Sequence, residues 1–106
     1  MSISSSAPWL KYYGNTPHHL TYPKESLYGM VRKAAEKFPK NYAYEFMGKK
    51  TTYAEFIRRI DETAKAYLAL GIGKGDHVTI CMPNCPQAVD SFYALNRIGA
   101  ISNMIH

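Results

Sequence analysis

The stretch GIGKGD, residues 71–76, is the first place to look for chemistry, because the N–H groups of a glycine-rich loop can cradle a phosphate. Its layout argues otherwise. A Walker-type loop needs Gly, four residues and then Gly-Lys-Ser/Thr, and it follows a strand and opens a helix. Here the glycines precede a strand, so the stretch reads as a helix-to-strand turn. Cys81 and Cys85 flank a Pro-Asn turn, with His77 on the same strand face as Cys81. A zinc site needs two further ligands, so the expectation is a pair of buried reduced thiols behaving as small hydrophobes. His18 and His19 stand in an irregular arm without a placed nucleophile or carboxylate, and His106 is the last residue. Glu45 and Glu55 make no recognisable acid/base pair, and no Ser or Cys occupies a Gly-x-Ser-x-Gly elbow. The residues by themselves therefore name no catalytic, cofactor-binding or metal-ligating position.

The elements that would have to position such groups form an α/β chain. Residues 1–25 read as an extended arm: serine-rich at first, then broken by Pro8, Gly14, Pro17 and Pro23. Trp9, Leu10, Tyr12, Tyr13, Leu20 and Tyr22 make it too apolar for a free tail, so it is expected to lie on a larger body. Ser26 caps a first helix, with Leu27, Met30, Val31, Ala34, Ala35 and Phe38 on one face, and Pro39 ends it. Tyr42, Tyr44 and Phe46 alternate as a strand does, and Gly48, Lys49 and Lys50 supply a turn into Thr51 and Thr52. Thr52 and Glu55 form a capping box for a second helix with Phe56, Ile57, Ile60, Ala64, Tyr67 and Leu68 on its apolar face and Arg58, Arg59, Asp61, Glu62 and Lys65 away from it. Gly71 follows as its left-handed stop. HVTICM then suits a strand buried on both faces, as in a parallel sheet. Pro86 opens a third helix whose only charges are Asp90 and Arg97, so cover on more than one side is expected. Gly99 closes it, and AISNMI begins another strand. The second half is thus a βαβ unit with an expected right-handed crossover.

Composition narrows the class. The 106 residues are 46% hydrophobic and 20% charged, as in a globular domain. Nine Tyr, four Phe and one Trp call for a sizeable core or interface. The net charge is +5, but no basic run exceeds two residues. Basic residues on solvated helix faces fit better than a nucleic-acid surface, which clusters them. Two cysteines build no disulfide framework, residues 1–13 lack an apolar signal core, and no window is long and apolar enough for a membrane span. A cytoplasmic protein is the expectation. A parallel sheet of two strands leaves its edges and one face open, and the last strand runs to His106 without a covering helix. The sheet is therefore expected to be incomplete.

The order of these pieces carries a resemblance. AAEKFP, then YEFMGKKTTYAE, a long helix, LGIGKGDHVTICMPNCP and RIGA stand in the sequence and at the spacing found near the start of the AMP-forming acyl-CoA synthetases. These belong to the adenylate-forming superfamily of acyl-CoA synthetases, peptide-synthetase adenylation domains and luciferases. The arm WLKYYGNTPHHLTYP also resembles the approach segment of such ligases, so the likeness runs from about Trp9 to His106. Single pieces such as PNCP are weak; the ordered set is specific.

The resemblance implies that residues 26–106 are the N-terminal portion of an AMP-binding domain. It implies a parent ligase in which a carboxylate, in the general style of the match a fatty acid, attacks the α-phosphate of ATP to give an acyl-adenylate and pyrophosphate. The thiol of coenzyme A then displaces AMP, with magnesium accompanying ATP. The sequence departs from the family in holding neither its Pro-Lys-Gly phosphate loop, nor its adenine- and ribose-binding motifs, nor its small C-terminal domain with a catalytic lysine. No catalytic, cofactor-binding or metal-binding residue of the family carries over to this chain. The expectation is therefore a fragment, inactive alone, that binds no ATP, Mg2+ or coenzyme A itself and has the remainder of the enzyme domain as its partner. The alternatives are a stand-alone interaction module derived from such an enzyme and, far behind, a basic nucleic-acid binder.

Overall fold

The computed structural model describes residues 6–106, so the first serines of the arm lie outside the described residues. Within the arm, Pro8–Tyr12 winds into one 3-10 turn. No described arm residue is buried, and Trp9 and Tyr12 are 52% and 79% exposed. The body that the arm's aromatic residues call for is not supplied by residues 26–106.

Helix α1 (Leu27–Lys37) starts where its cap predicts: the Ser26 hydroxyl oxygen accepts the Gly29 N–H at 3.0 Å. The buried face is narrower than the apolar stripe. Tyr28 and Ala35 are buried, while Leu27, Met30 and Phe38 stay about half exposed. Strands β1 (Tyr42–Phe46) and β2 (Lys49–Thr52) form an antiparallel hairpin, with Tyr44 opposite Thr51 and Phe46 opposite Lys49. Its turn lies earlier than the sequence suggests. Met47 (φ 50°) and Gly48 (φ 85°) make it, both left-handed as in the two-residue turns whose twist suits a hairpin, and Lys49 and Lys50 are strand.

Helix α2 (Tyr53–Ala69) is capped by Thr52, whose hydroxyl oxygen accepts the Glu55 N–H at 3.2 Å. The Glu55 carboxylate does not close the box; it accepts from Arg59 at 3.0 Å instead. Gly71 (φ 88°) stops the helix as expected, its N–H bonding Leu68 O while the Ile72 N–H reaches Tyr67 O. Strand β3 (His77–Cys81), helix α3 (Pro86–Ile98) and strand β4 (Ile101–Ile105) form the βαβ unit, with β3 and β4 parallel and His77 opposite Ile101. Gly99 (φ 78°) closes α3, and a Cβ there would meet Lys74 Cγ at 3.2 Å.

The core lies among the three helices. Ile60 and Ala94 are fully enclosed, Phe56, Ala64 and Tyr28 surround them, and Leu95 is fully enclosed on α3. Tyr44, Phe56 and Tyr93 stack edge to face at 5.4 and 5.6 Å. Helix α3 packs on α1, α2 and β4, which accounts for its few charges. Two hydrogen bonds and an ion pair lock the helices. Asp61 of α2 accepts from the Tyr28 hydroxyl at 2.8 Å and from Arg97 of α3, and the Tyr28 N–H bonds Asn96 Oδ1 at 2.9 Å. Asp61, half-buried, thus bridges the helices instead of standing free in solvent.

β3 is covered on one side only. Ile80 is buried, but His77, Thr79 and Cys81 on the other face are exposed, as are Ile101, Asn103 and Ile105 beside them. The run of apolar residues matches a strand with two covered faces, and this chain covers one.

Candidate functional site

The structure separates most of the groups that the sequence singles out. The 71–76 loop is a turn whose glycine N–H groups are already used: Gly71 N–H bonds Leu68 O, Gly73 N–H bonds Asp76 Oδ2 at 2.8 Å, and Gly75 N–H bonds Gly99 O at 2.9 Å, while Asp76 N–H bonds Gly73 O at 3.1 Å. With the Gly73 and Asp76 donors committed within the turn and the Gly75 donor to the α3–β4 corner, the loop does not fit a phosphate. Cys81 lies exposed on the bare sheet face, contrary to the expected burial, because nothing in this chain covers that face; Cys85 is half-buried at the α3 N-terminus. His77 shares the bare face with Cys81. His18 rests edge-on against Tyr13 in the arm, ring centres 5.3 Å apart, and His19 and His106 are exposed. Glu45 is on β1 and Glu55 is bound by Arg59 on α2, so the two form no pair. Among the described residues, no three His, Cys, Asp or Glu come together as metal ligands.

What the fold does assemble is a trough between the hairpin and the first half of α3. Its polar lobe, about 280 Å³, is lined by Tyr44, Lys49, Thr51, Arg59, Gln87 and Asp90. Its apolar lobe, about 560 Å³, is lined among others by Val89, Phe92, Tyr93 and Met104. Tyr44, Phe46 and Pro86 border both. The hairpin register brings Tyr44 and Thr51 side by side, and the pitch of α3 sets Asp90 on the same side as the enclosed Ala94.

Asp90 is the unusual group. It is 9% exposed, and its Oδ1 is buried without a hydrogen-bond partner among the described residues. Burial pushes its carboxyl pKa up, against a smaller pull from the Arg59 charge. Arg59 itself is held by Glu55 at 3.0 Å and donates to the Tyr44 hydroxyl at 3.3 Å. The arrangement can hold a hydrogen-bond donor against a buried carboxyl group. It contains no nucleophile aligned with a base. Sequence reading placed Arg59 among solvated charges and took Asp90 only as one of two charges on its helix. The available signal was Asp90 itself, an acid inside the otherwise uncharged run PQAVDSFYAL.

Known proteins share this architecture. A long-chain-fatty-acid–CoA ligase of Bacillus subtilis is 36% identical over 100 residues, covering 93% of this chain and 18% of its own length. An acetyl-coenzyme A synthetase of Dictyostelium discoideum is 44% identical over 61 residues, 58% of this chain and 9% of the relative. Among solved structures, a fatty acyl CoA synthetase of Mycobacterium tuberculosis superposes with a TM-score of 0.73 at 31% identity, over 76% of this chain and 16% of that one. The N-terminal subdomain of Klebsiella oxytoca NpsA gives 0.74 at 25% identity, over 76% and 21%. The chain thus spans less than a fifth of the curated relatives it matches. Residues 31–106, taking in most of α1, the hairpin, α2 and the whole βαβ unit, match the AMP-binding enzyme family, and the chain belongs to it.

Proposed function

We propose that residues 26–106 build the opening part of the large domain of an AMP-forming acyl-CoA ligase, with residues 1–25 an arm laid on that domain. The whole enzyme joins a carboxylic acid to coenzyme A: ATP and the acid give an acyl-adenylate and pyrophosphate, and the thiol of coenzyme A then displaces AMP. ATP, Mg2+ and coenzyme A are its cofactors and co-substrates, its acid is a fatty acid, and its setting is the cytoplasm. The observation that carries this reading is the 36% identity to a fatty-acid–CoA ligase across 93% of the chain. The part played by this chain is scaffold. Its glycine loop spends the Gly73 and Asp76 N–H groups within the turn and the Gly75 N–H on the α3–β4 corner, and Asp90, the buried acid among the described residues, has an oxygen without a hydrogen-bond partner there.

The test is carboxylate-dependent ATP–pyrophosphate exchange by the 106-residue chain, together with the mass of the native product in its source cells. The expected result is no exchange by the chain and a product several times heavier than 12.0 kDa. Robust exchange by the chain alone overturns the scaffold role. A native product near 12.0 kDa, recovered with a stable partner, favours an interaction module instead.

A further inference from the structure

Three unmet needs converge on the trough between the hairpin and α3. Among the described residues β1 is paired along one edge only, so its other edge presents free backbone groups there. The apolar lobe is lined by Tyr44, Glu45 and Phe46 in succession. Successive strand residues point to opposite faces, so a cavity lined by three in a row runs along the edge of the strand. The floor of that lobe is apolar and open: Phe46, Val89 and Met104 are 38%, 37% and 48% exposed. Beside it, Asp90 Oδ1 is buried and has no donor among the described residues. Arg59 donates to Tyr44 and Glu55 and makes no hydrogen bond to that oxygen among the described residues. Glu45, on the rim, enters no ion pair among the described residues. Neither acid is in an ion pair among the described residues, although the Arg59 charge acts on Asp90 without a bond.

We propose that this trough is a docking slot for an extended polypeptide segment, which adds a strand to the free edge of β1, fills the apolar lobe with one side chain and donates to Asp90 from a Lys or Arg. Side chains two positions apart share a strand face, so the segment carries an apolar residue and a cation in that spacing. Only the source of the segment, the remainder of the same domain, rests on the ligase reading.

The probe is an acetylated and amidated threonine octapeptide with Val and Arg two positions apart at its centre, titrated into the 106-residue chain while backbone amide shifts are followed. A second peptide has Glu in place of the Arg. The expected result is shifts confined to β1 and the first half of α3, with the Arg peptide bound at least about tenfold more tightly, as for a desolvated charge pair. Asp90→Asn brings the two peptides to near equality, and Val89→Glu removes both from the slot; the same spectra report whether each variant is folded. Equal binding of the two peptides, shifts along β4 instead, or no shift at all overturns the slot. Laurate entering the lobe where neither peptide does assigns the trough to a small amphiphile and also overturns it. Hydrogen exchange on the protein from its source cells gives a reading free of any substitution. Slow exchange at the outward-facing β1 amides is expected, and exchange at the rate of an open strand overturns the proposal. Neither experiment involves turnover. A failed titration leaves the ligase reading standing, and exchange activity of the chain alone defeats that reading without touching the slot.

Discussion

The helical side of the molecule and its sheet side differ in how far each is finished. Among α1, α2 and α3, Ile60, Ala94 and Leu95 are fully enclosed, and the polar groups that join the helices meet one another: Tyr28 and Arg97 on Asp61, the Tyr28 N–H on Asn96. Burial and then the bond to Asp61 raise the Tyr28 hydroxyl pKa, so this joint stays intact as an O–H donor across the neutral range. On the sheet side, Ile101 and Ile105 are about half exposed, Cys81 is open to solvent, and Asp90 at the nearby trough has no donor among the described residues. α3 belongs to both sides. One helix can therefore be a completed core element along one stripe and an open docking element along another. Whether buried polar atoms have found partners distinguishes the two better than hydrophobicity does.

The largest effects should fall on the finished side. Ile60→Ala or Leu95→Ala leaves a cavity where the surroundings are close-packed, at a cost of about 2–5 kcal/mol, measured by urea denaturation of the chain. Since a small domain holds only about 5–15 kcal/mol in all, either substitution is expected to bring it close to unfolding. A loss below about 1 kcal/mol would mean that the helices are no better packed than the sheet face, and the contrast between the two sides would collapse.

Asp61→Ala comes next. It removes the acceptor shared by Tyr28 and Arg97, two partners on two other helices, and the expected cost is about 1–3 kcal/mol. The exposed pairs Arg32–Glu36 and Arg58–Glu62 serve as the comparison, because each lies within one helix turn in water and contributes about 0.3–0.5 kcal/mol. Glu36→Ala or Glu62→Ala should therefore cost clearly less than Asp61→Ala in the same denaturation experiment.

Asp90→Asn should act in the opposite direction. The folded-state carboxyl holds its proton to higher pH than the unfolded one, because burial outweighs the pull of Arg59 on α2; Lys49 on β2 and Tyr44 on β1 line the same polar lobe. Relative to the Asn variant, the wild type is then at its best below the ordinary carboxyl value of 3.8 and loses ground as the pH rises through the raised value. At pH 7 the variant is expected to be the more stable by about 1 kcal/mol, the low end of what a buried acceptor without a partner costs. The two should converge in acid. Thermal melts from pH 3 to pH 8 check this, and a variant less stable at pH 7 would show that Asp90 is already satisfied.

These expectations rest on features the sequence displayed unequally. The caps Ser26 and Thr52 and the stops Gly71 and Gly99 were legible because each depends on one residue and its immediate neighbours. The hairpin turn was misplaced onto the lysines because Met47 adopts a left-handed conformation that its residue type does not advertise. Asp61 and Arg59 look like solvent-facing charges from their helical phase, and only the packing of α1, α3 and β1 around α2 brings partners to them. The trough was invisible for the same reason: Tyr44, Arg59 and Asp90 belong to three elements, and no spacing along the chain records their meeting. The match to the adenylate-forming enzymes was legible as an order of short pieces, which survives where single contacts do not.

A small effect in the chain is the one that most sharpens the contrast. Ile105→Ala trims a side chain that is 51% exposed on the bare sheet face, so little apolar area returns to water and no enclosed cavity forms. In the 106-residue chain the cost should stay below about 1 kcal/mol. If the scaffold reading holds, the same face is covered in the complete enzyme, and the same substitution there creates a cavity worth about 2–5 kcal/mol. Denaturation of both proteins with and without the substitution gives the difference directly. A cost that rises severalfold places a covering layer over His77, Thr79, Cys81 and Ile105. A cost that stays small in both means the face remains in water, and the bare side is then a finished surface of the molecule.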